Sequence, residues 1–439
     1  MRISVIGTGY LGTTHAAGMA EFGHHVIGLD IDTERVAALN KGRAPIFEPN
    51  LDPMLERHTG SGQLRFTTDH TDIADWADVH FLCVNTPQSP SGAADLGQLR
   101  NVRDQLAPLL TRPTLIILKS TVPVGTAAQL RQEFRALAPA GDGVDLTVNP
   151  EFLREGHAVE DTLRPDRIVL GVEDERSLEV LDRVYAIPLS DDTPRVLTNF
   201  ATAELIKNAA NAFLATKISF INAMAQLCQA TGGDVTELAD AIGFDERIGR
   251  AFLNAGLGFG GGCFPKDIRS LAHSADEHGV EVLSNFIGSV ERINDSQRTE
   301  VTELTVEHLG GDAAGKRIAV LGATFKPGTD DTRNSPALTV AEQLHSRGAE
   351  VRVYDPHARL TTRDNFSQAA TAQDAVAGAD IVLHLTEWPE FRSLDPAVLA
   401  PLVQSTIIID ARLKLNPHTW RAAGWTLIQP GRVDRTPAC

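Results

Sequence analysis

The chain has 439 residues, which is too long for one small domain and predicts two or three domains, each with its own core. Its composition, 42% hydrophobic and 22% charged, is that of an ordinary globular protein. The formal net charge of −17 argues against a nucleic-acid or anionic-membrane surface, although it is compatible with a local basic pocket for an anionic small molecule.

The first third of the chain alternates short β-rich runs with helical patterns. Strands are expected at residues 2–6, 25–29, 79–84, 114–119 and 146–148, and helices at 11–22 and 33–40. Alternation of this kind predicts a parallel, doubly wound sheet.

The middle of the chain is different. A long apolar-periodic run over residues 199–231 predicts one long helix that ends at the following pair of glycines, and helical patterns continue to about residue 309. The last third returns to alternation, with strands expected at 317–321, 350–354, 381–385 and 406–410. The predicted fold is therefore α/β: two Rossmann-like doubly wound parallel-sheet domains, 1–198 and 310–439, joined by a long central helix and a helical region, 199–309.

The cysteines and histidines show no metal-binding or disulfide pattern. Four cysteines are scattered without a CxxC pair, at Cys83, Cys228, Cys263 and Cys439. This favours reduced thiols in a cytoplasm, and no metal is expected. The chain begins with a strand-like run rather than a signal sequence, and it has no apolar run long enough to span a membrane.

A glycine motif follows the first strand. Gly7, Gly9 and Gly12 fit GxGxxG, which provides a tight turn, close approach to a pyrophosphate and close packing of a helix on a strand. Asp30 ends the second strand, where an acid bonds the ribose 2′-hydroxyl and selects NAD over NADP. Arg35 leaves an alternative open, because it could accept a 2′-phosphate, contact the adenosine or simply lie on a helix surface.

Three further loops follow predicted strands, where ligands bind in such sheets. They are residues 84–87, 119–126 and 149–156. Thr121 could donate a hydrogen bond toward a substrate, or it could be an ordinary turn hydroxyl. Glu151 and Glu155 lie four residues apart, which on a helix places them on one face; one of them could activate a water, or both could lie on a solvated acidic face.

The long helix carries two polar residues in an otherwise small and apolar run. Lys207 and Asn211 are one helical turn apart. A lysine that is mostly buried is costly unless it is paired or faces a cleft, and it then becomes a possible base. The alternative is a lysine that extends to the surface, and Lys217 on the same helix fits that alternative better.

The stretch GFGGGCFPKD, residues 258–267, places Cys263 among glycines with Lys266 and Asp267 close behind. Nearby positive charge would lower the pKa of the thiol from about 8.5, whereas Asp267 would oppose this unless it is engaged elsewhere. A cysteine combined with a nicotinamide site suggests covalent capture of an aldehyde. A structural thiol is the alternative, and Cys83 and Cys228 fit it.

Basic residues follow the strands of the last third. Lys326 and Arg333 lie in the loop after the first of these strands, Ser335 could cap the next helix, and Arg412 follows a later strand. Such a basic loop could bind a diphosphate, although any one of these residues could equally be an ordinary surface residue.

Over nearly its whole length the chain resembles the nucleotide-sugar dehydrogenases of the UDP-glucose/GDP-mannose dehydrogenase family. The resemblance rests on GTGYLG, GLDID, IFEPNL, VNTPQ, STVPVGT, NPEFLREG, ELIKNAANAFLATKISFINAMA, RIGRAFLNAGLGFGGGCFPKD and FKPGTDDTRNSPA. It implies an NAD domain, a central dimerisation region and a nucleotide-sugar domain. Two departures are Asn50 and Asn85, which stand where the family pattern has glycine.

The resemblance also implies residue roles. Cys263 would be the nucleophile. The oxyanion of the substrate would be supported, and a water ordered, by Lys207, Asn211 and Asp267. A catalytic water would be held by Thr121, while Glu151 would assist at the same pocket and Glu155 in the final hydrolysis. The implied cofactor residues are Gly7, Gly9, Tyr10, Leu11, Gly12, Asp30, Arg35, Thr86, Thr121, Glu155, Lys266 and Arg333. The implied substrate residues are Phe152, Leu153, Lys207, Asn211, Arg247, Phe252, Phe259, Gly260, Phe325, Lys326 and Arg412, with Arg247 reaching the neighbouring subunit of a dimer.

The activity implied by the resemblance is NAD-dependent, four-electron oxidation of UDP-glucose at C6 to UDP-glucuronate through a thiohemiacetal and a thioester on Cys263. Alternatives remain at this point: a GDP-mannose 6-dehydrogenase, a two-electron hydroxyacid dehydrogenase, or a non-catalytic protein that senses NAD. Enzymes for UDP-N-acetyl sugars depart from the chain around NPEFLREG and are less favoured.

Overall fold

The computed structural model describes residues 1–89, 92–360 and 366–432, so Cys439 lies outside the described residues. The chain forms two compact units. The first contains Met1–Ala210 and Arg269–Gly279, and the second contains Asn211–Ile268 and the chain from Val280 onward.

The first unit is built on an eight-stranded sheet of order β3-β2-β1-β4-β5-β6-β7-β8. Its strands are β1 Arg2–Ile6, β2 His25–Leu29, β3 Leu64–Thr67, β4 Val79–Leu82, β5 Thr114–Leu118, β6 Val144–Val148, β7 Ile168–Gly171 and β8 Arg195–Thr198. The helices between them are α1 Tyr10–Glu21, α2 Thr33–Leu39, α3 Leu51–Gly60, α4 Thr71–Ala74, α5 Gly97–Leu106, α6 Thr126–Leu137, α7 Ala158–Leu163, α8 Glu175–Val184 and α9 Ala186–Ser190.

The sheet has a core layer on each face because its central strands are apolar on both sides. In β5, Leu115 and Ile117 belong to one hydrophobic cluster, whereas Ile116 and Leu118 belong to the other. Successive side chains of a strand point to opposite faces, so a continuous apolar run serves both layers. The doubly wound sheet predicted from the alternation is thereby confirmed.

One edge of this sheet departs from the parallel prediction. Strands β1 to β6 run parallel, but β7 pairs with β6 in the antiparallel sense through Val148 and Gly171, and β8 then runs parallel to β7. The strands β3, β7 and β8 were not predicted. They are four residues long each, and β8 is largely exposed, so they carry little apolar periodicity.

The long helix is confirmed as α10, Phe200–Thr231. It ends where the glycine pair predicted, because Gly232 adopts φ +79° and the Gly233 N–H donates to the carbonyl of Cys228 (2.8 Å). The other helices of the middle region are α11 Val235–Gly243, α12 Phe264–Glu277 and α13 Glu281–His308.

The second unit contains a six-stranded parallel sheet of order β11-β10-β9-β12-β13-β14. Its strands are β9 Arg317–Leu321, β10 Glu350–Tyr354, β11 Ser367–Gln368, β12 Ile381–His384, β13 Ile407–Asp410 and β14 Thr426–Ile428. The accompanying helices are α14 Pro336–Ser346, α15 Ala372–Val376, α16 Pro389–Arg392, α17 Pro396–Leu399 and α18 Pro417–Ala422. Three short 3-10 helices complete the described elements, at Ala107–Leu109, Gly141–Gly143 and Ala400–Leu402.

The two sheets share a turn that the sequence did not reveal as a repeat. In the first, Thr8 donates its N–H and hydroxyl to Asp30 at the end of β2; in the second, Thr324 donates the same two groups to Asp355 after β10. Each turn begins with a glycine of positive φ, Gly7 or Gly322. Both lie where the strand order reverses, the place at which such sheets bind ligands.

No helix in the described part of the chain is long and apolar enough to cross a membrane.

The turn at Gly322 gives a test of the fold. Gly322→Ala places a Cβ 2.4 Å from Thr386 Cβ at φ +109°, whereas Gly315→Ala meets only the positive φ, +69°, with open space around it. The left-handed backbone costs about 1–2 kcal/mol in both variants, and the clash adds roughly 1–3 kcal/mol in the first. Thermal unfolding followed by circular dichroism should show the larger loss for Gly322→Ala; equal losses would contradict the close approach.

Candidate active site

In the glycine turn of the first unit, neighbouring atoms leave no space for a side chain at Gly7 or Gly12, whereas Gly9 borders open space in which a ligand can bind. A Cβ on Gly7 would lie 2.8 Å from Val84 Cα, and a Cβ on Gly12 would lie 1.8 Å from the Gly7 carbonyl oxygen. A Cβ on Gly9 would meet open space. Helix α1 starts immediately afterwards with Tyr10 and Leu11, so its first N–H groups can bind an anion such as a pyrophosphate.

Asp30 is held as a carboxylate at the end of β2. It accepts hydrogen bonds from Thr8 N–H (2.8 Å) and Asp32 N–H (3.1 Å), and the Arg35 guanidinium contacts both oxygens at 3.0 Å. Burial opposes ionisation, but these hydrogen bonds and the Arg35 charge outweigh it and hold the pKa of Asp30 below its ordinary value. The guanidinium of Arg35 is therefore engaged by the acid that the motif requires.

Tyr10 and Glu48 hold the end of the loop that carries Glu155. The Tyr10 hydroxyl donates to Glu48, and both oxygen atoms accept from Gly156 N–H, at 2.9 and 2.7 Å. Glu48 also accepts from Ala158 N–H (2.8 Å) at the start of α7. Burial, followed by the bond to Glu48, raises the pKa of the Tyr10 phenol well above its ordinary value. Glu48 was not singled out from the sequence.

Lys207 is buried and paired, as its position on a largely apolar helix predicted. Its Nζ lies 2.9 Å from Glu151 Oε1, and its side chain is 5% exposed. Burial opposes ionisation of Glu151, but the charge and hydrogen bond of Lys207 outweigh it and hold the pKa of the carboxyl below its ordinary value. Phe152 lies beside this pair, with Lys207 Nζ at 5.6 Å and the Arg167 guanidinium at 3.8 Å from its ring centroid.

Glu151 and Glu155 do not lie on a helix, so the shared helix face that their four-residue spacing would have given is not formed. Residues 151–154 are not helical, because Glu151 turns back to accept the Leu153 N–H and the following α7 begins only at Ala158. The two carboxylates therefore do not share a helix face.

The loops after β4 and β5 are joined to each other. The Thr86 hydroxyl donates to the carbonyl of Thr121 (2.7 Å). Glu204, which is buried on α10, accepts from Gly125 N–H and Ala127 N–H (both 2.8 Å) at the start of α6. These bonds fix the loop that presents Thr121 without using the side chain of Thr121.

Cys263 lies in the second unit, exposed, directly before α12. Its carbonyl accepts the Asp267 N–H (2.8 Å), the first bond of that helix. Asp267 is 1% exposed; Asn211 Nδ2 donates to one of its oxygens (2.7 Å) and Lys266 Nζ pairs with the other (2.9 Å). The Asp267 carboxylate is thus engaged with Asn211 and Lys266, which is the condition under which it would not oppose ionisation of a nearby thiol.

The loop before Cys263 is held by its backbone. Hydrogen bonds from distant residues meet the main chain from Gly256 to Gly261: Asn222 Oδ1 with Gly256 N–H, Arg412 with Gly258 O, Asn294 with Phe259 N–H and O, Arg298 with Phe259 O, and Asn334 with Gly261 O, at 2.8 to 3.3 Å. Together they fix the path of a loop that has few side chains of its own.

The glycines of this loop are required by what lies against them. A Cβ on Gly258, which has φ +85°, would lie 2.3 Å from Asn294 Oδ1, and a Cβ on Gly260 would lie 2.2 Å from the Asn334 carbonyl oxygen. A Cβ on Gly262 would lie 2.6 Å from Arg333 Cζ. The glycines therefore admit protein groups to the loop, in addition to any room they leave for a substrate.

Other predicted substrate residues cluster around the same loop. Phe252 and Phe259 both contact Phe264, with ring centroids 6.4 and 6.0 Å away. The Phe325 ring lies over Gly261, and Lys326 Nζ is 5.7 Å from that ring.

Three cations predicted at the site are engaged with protein groups. Arg412 Nε donates to Leu385 O (2.7 Å) and lies 3.3 Å from Glu387, so its guanidinium braces the loop. Arg247 and Arg333 each form a two-point ion pair with an aspartate two residues earlier, Asp245 or Asp331, and both guanidiniums remain largely exposed.

The structure thus gathers the predicted residues into two groups, one within each unit. The first unit holds the glycine turn, Asp30, Arg35, Thr86, Thr121 and the 151–155 loop with Lys207. The second unit holds Asn211, Arg247, Phe252, the cysteine loop with Asp267, and the basic loops with Lys326, Arg333 and Arg412. Ser335 caps α14, as expected, by accepting the Leu338 N–H.

Several residues that hold the site were missed: Glu48, Glu204, Asn222, Asn294 and Arg298. All but Arg298 are buried polar side chains, and all bond a backbone group at least 34 residues away in sequence. For the four residues on α10 and α13, a polar residue in a helix that also packs apolar side chains is the available signal, as for Lys207, but its partner cannot be read from local spacing; Glu48 lies outside the helices.

Lys217, expected to extend to the surface, donates to the carbonyls of Ile248 and Gly249 at 3.0 and 3.1 Å.

Comparison with known proteins identifies the family. Residues 1–188 match the NAD binding domain of the UDP-glucose/GDP-mannose dehydrogenase family, residues 201–296 its central domain and residues 319–417 its UDP binding domain. A UDP-glucose 6-dehydrogenase of Rhizobium meliloti is 42% identical over 440 residues, covering 99% of this chain and 100% of that protein. The chain belongs to the UDP-glucose/GDP-mannose dehydrogenase family.

Solved structures agree with this assignment. A UDP-glucose dehydrogenase from the archaeon Pyrobaculum islandicum has a TM-score of 0.89 at 35% identity, covering 97% of this chain and 98% of that one. A UDP-D-ManNAc dehydrogenase from Pyrococcus horikoshii has a TM-score of 0.87 at 31% identity, covering 99% and 100%. As a member of the UDP-glucose/GDP-mannose dehydrogenase family, the chain is a nucleotide-sugar dehydrogenase that uses NAD.

Thiol reactivity tests the site. Burial raises the pKa of Cys83 to about 12 and raises that of Cys228, whereas Cys263 is exposed. With iodoacetamide at pH 8, Cys263 should be alkylated at least about tenfold faster than the other two in the native protein. Peptide mass spectrometry of a quenched time course measures the rates, with protein unfolded in guanidinium as the control. Equal labelling of Cys83 or Cys228 in the native protein would contradict the structure.

Proposed function

We propose that the chain catalyses the NAD-dependent, four-electron oxidation of UDP-glucose at C6 to UDP-glucuronate. The observation that carries this is Cys263: an exposed thiol at the start of a helix, on a loop held by its backbone, in a chain whose family binds NAD and UDP. A two-electron dehydrogenase needs no nucleophile of this kind, whereas a second oxidation needs the aldehyde carbon to stay attached to the enzyme.

The first unit fits NAD. The open space at Gly9 and the helix start at Tyr10 and Leu11 suit a pyrophosphate, and the Asp30 carboxylate suits a ribose hydroxyl. We assign further contacts to Gly7, Gly12, Arg35, Thr86, Thr121, Glu155, Lys266 and Arg333. NAD, when bound, accepts a hydride from C6 in each of the two oxidations.

Cys263 carries the covalent chemistry. Its thiolate attacks the C6 aldehyde to give a thiohemiacetal, which after loss of a hydride becomes a thioester; water then cleaves the C–S bond and releases the carboxylate and the thiol. Asn211 and Lys207 stabilise the oxyanion, while Asp267 and Thr121 orient water. Glu151 assists through its pair with Lys207, and Glu155 assists the hydrolysis.

The nucleotide sugar is assigned to the remaining predicted residues. We place the diphosphate with Lys326 and Arg412 and the sugar with Phe252, Phe259, Gly260 and Phe325, which gather around the cysteine loop. Phe152 and Leu153 assist from the 149–156 loop. The corresponding domain division is 1–198 for NAD, 199–309 for dimerisation and the cysteine loop, and 310–439 for the nucleotide sugar.

A homodimer is proposed because α10 exposes an apolar stripe. Phe213, Phe220 and Leu227 recur every seven residues and are 67%, 51% and 53% exposed. A seven-residue repeat keeps one helix face apolar and suits pairing with a second copy. In such a dimer Arg247, which is largely exposed, is proposed to reach the partner's substrate. The reduced thiols of Cys83, Cys228 and Cys263 suit the proposed cytoplasmic location.

The stoichiometry of NADH tests the reaction. With UDP-glucose limiting and NAD in excess, absorbance at 340 nm should report two NADH per sugar, because each of two steps transfers a hydride. Cys263→Ser should lose at least about a thousandfold in turnover, since the second oxidation needs the thioester. One NADH per sugar, or turnover retained by Cys263→Ser, would refute the four-electron reaction. No NADH from UDP-glucose but two from GDP-mannose or a UDP-N-acetyl sugar would reassign the substrate.

The dimer is tested with Phe220→Asp, which places a charge in the apolar stripe. Light scattering with size exclusion should give the dimer mass for the wild-type protein and a monomer mass for the variant at micromolar concentration. Val398→Asp, a charge at another half-exposed apolar side chain, is the control and should remain dimeric.

Arg247 is tested by mixing. Arg247→Ala and Cys263→Ala chains, each inactive alone, should regain activity when mixed, because one site of the hybrid dimer combines an intact cysteine with an intact partner arginine. A mixture that stays inactive after exchange of subunits would place Arg247 in its own chain's site.

A further inference from the structure

A small cavity, lined in part by polar side chains, lies in the first unit next to Glu151, the partner of Lys207. Its volume is about 60 Å³, and its lining includes His15, Lys119, Asn149, Glu151, Asp166 and Tyr185. A cavity needs only about 10–15 Å³ to hold a water, so this one has room for several. Lined by so many polar groups, it is expected to be wet.

Lys119 is the buried cation of this cavity. Its residue is 7% exposed, and its Nζ donates to Asn149 Oδ1 (3.0 Å), which also accepts from the Tyr185 hydroxyl. Burial lowers the pKa of Lys119 to about 8; Cys83 and Glu151 oppose this shift, and Lys207 adds to it. Two buried lysines thus face one carboxylate, and one of the two can exist as the neutral amine near neutral pH.

His15 is a buried residue of the cavity lining whose Nε2 is a binding position for water. It is 2% exposed, and no described residue provides a hydrogen-bond partner for its Nε2. Burial, then the charge of Lys119, lowers the pKa of His15 well below its ordinary value, so the ring is neutral. A buried imidazole nitrogen without a protein partner is normally satisfied by water, and this one lines the cavity.

The cavity extends toward the surface. Asp161 and Asp166 both line it, and Asp166 is exposed on the loop that precedes β7. The Arg167 guanidinium covers the Phe152 ring beside it. Proton-exchanging groups therefore line one cavity, from the buried Glu151 and Lys119 to the exposed carboxylate of Asp166.

We propose that Lys119 is a proton-relay residue, which takes up a proton released beside Glu151 and passes it through water in this cavity to the surface at Asp166. The relay rests on the oxidation proposed above. That reaction converts an alcohol, one water and two NAD⁺ into a carboxylate and two NADH, and it releases three protons. In the relay the neutral Lys119 amine accepts a proton to become the ammonium, which then returns it to cavity water.

The test compares Lys119→Met with Lys119→Arg. Arginine retains a cation but cannot give up its proton at these pH values. Both variants should therefore lose about tenfold or more in kcat at pH 7, and neither should have the rise in kcat with an apparent pKa near 8 that the relay predicts for the wild-type protein. Added methylamine, small enough to enter the cavity as a substitute base, should restore part of the rate of Lys119→Met.

Thr147→Val is the matched control. Thr147 is fully buried on β6 but does not line the cavity, so the variant should keep the wild-type pH profile and gain nothing from methylamine. Wild-type activity retained by Lys119→Met, or restored by Lys119→Arg, would overturn the relay and leave Lys119 a structural cation. Absence of two NADH from the wild-type protein would instead refute the oxidation itself, and the relay with it. Should Lys119→Met fail to fold, the pH profile of Lys119→Arg decides.

Discussion

The constraint on which the cysteine site depends is that its loop is fixed by main-chain hydrogen bonds. A run of glycines cannot order itself, because each glycine loses more backbone entropy on folding than any other residue. Asn222 from α10, Asn294 and Arg298 from α13, Asn334 before α14 and Arg412 after β13 supply the bonds. Side chains from several elements of the second unit thus bond to one loop. They fix the position of the Cys263 thiol, which the neighbouring glycines could not do.

The first unit uses the same device with carboxylates. Glu48 holds the start of α7, and Glu204 holds the start of α6, each through two backbone N–H groups. An acid at the N-terminus of a helix also complements the helix dipole. Both loops that carry predicted acids and hydroxyls, 119–126 and 149–156, are therefore ordered in part by side chains outside them.

The sequence predicts a structural feature when the residues that determine it are neighbours in the chain, and it fails when they are far apart. Nine of the fourteen described strands, the end of α10, the cap at Ser335 and the glycine turn are predictable because their signals span only a few neighbouring residues. The spacing of Glu151 and Glu155 would have placed them on one face only on a helix, and Glu151 bonds Leu153 and Lys207 in a loop instead; the antiparallel β7 has too few residues to show a period. Glu48 and Asn294 were missed because their partners lie 108 and 35 residues away.

The two related turns lead into their helices in different ways. In the first, Gly12 packs so close to Gly7 that α1 starts at once, and the preceding Gly9 has no side chain to occupy its N–H groups. In the second, the chain runs from Gly322 to Pro336 before α14 starts, and Ser335 caps that helix. Ser335 thus accepts an N–H of that helix start, which is why the diphosphate proposed for this unit is assigned to side chains such as Lys326. The longer loop also brings Arg333 and Asn334 against the glycines before Cys263, and it thereby helps to order the loop that carries this thiol.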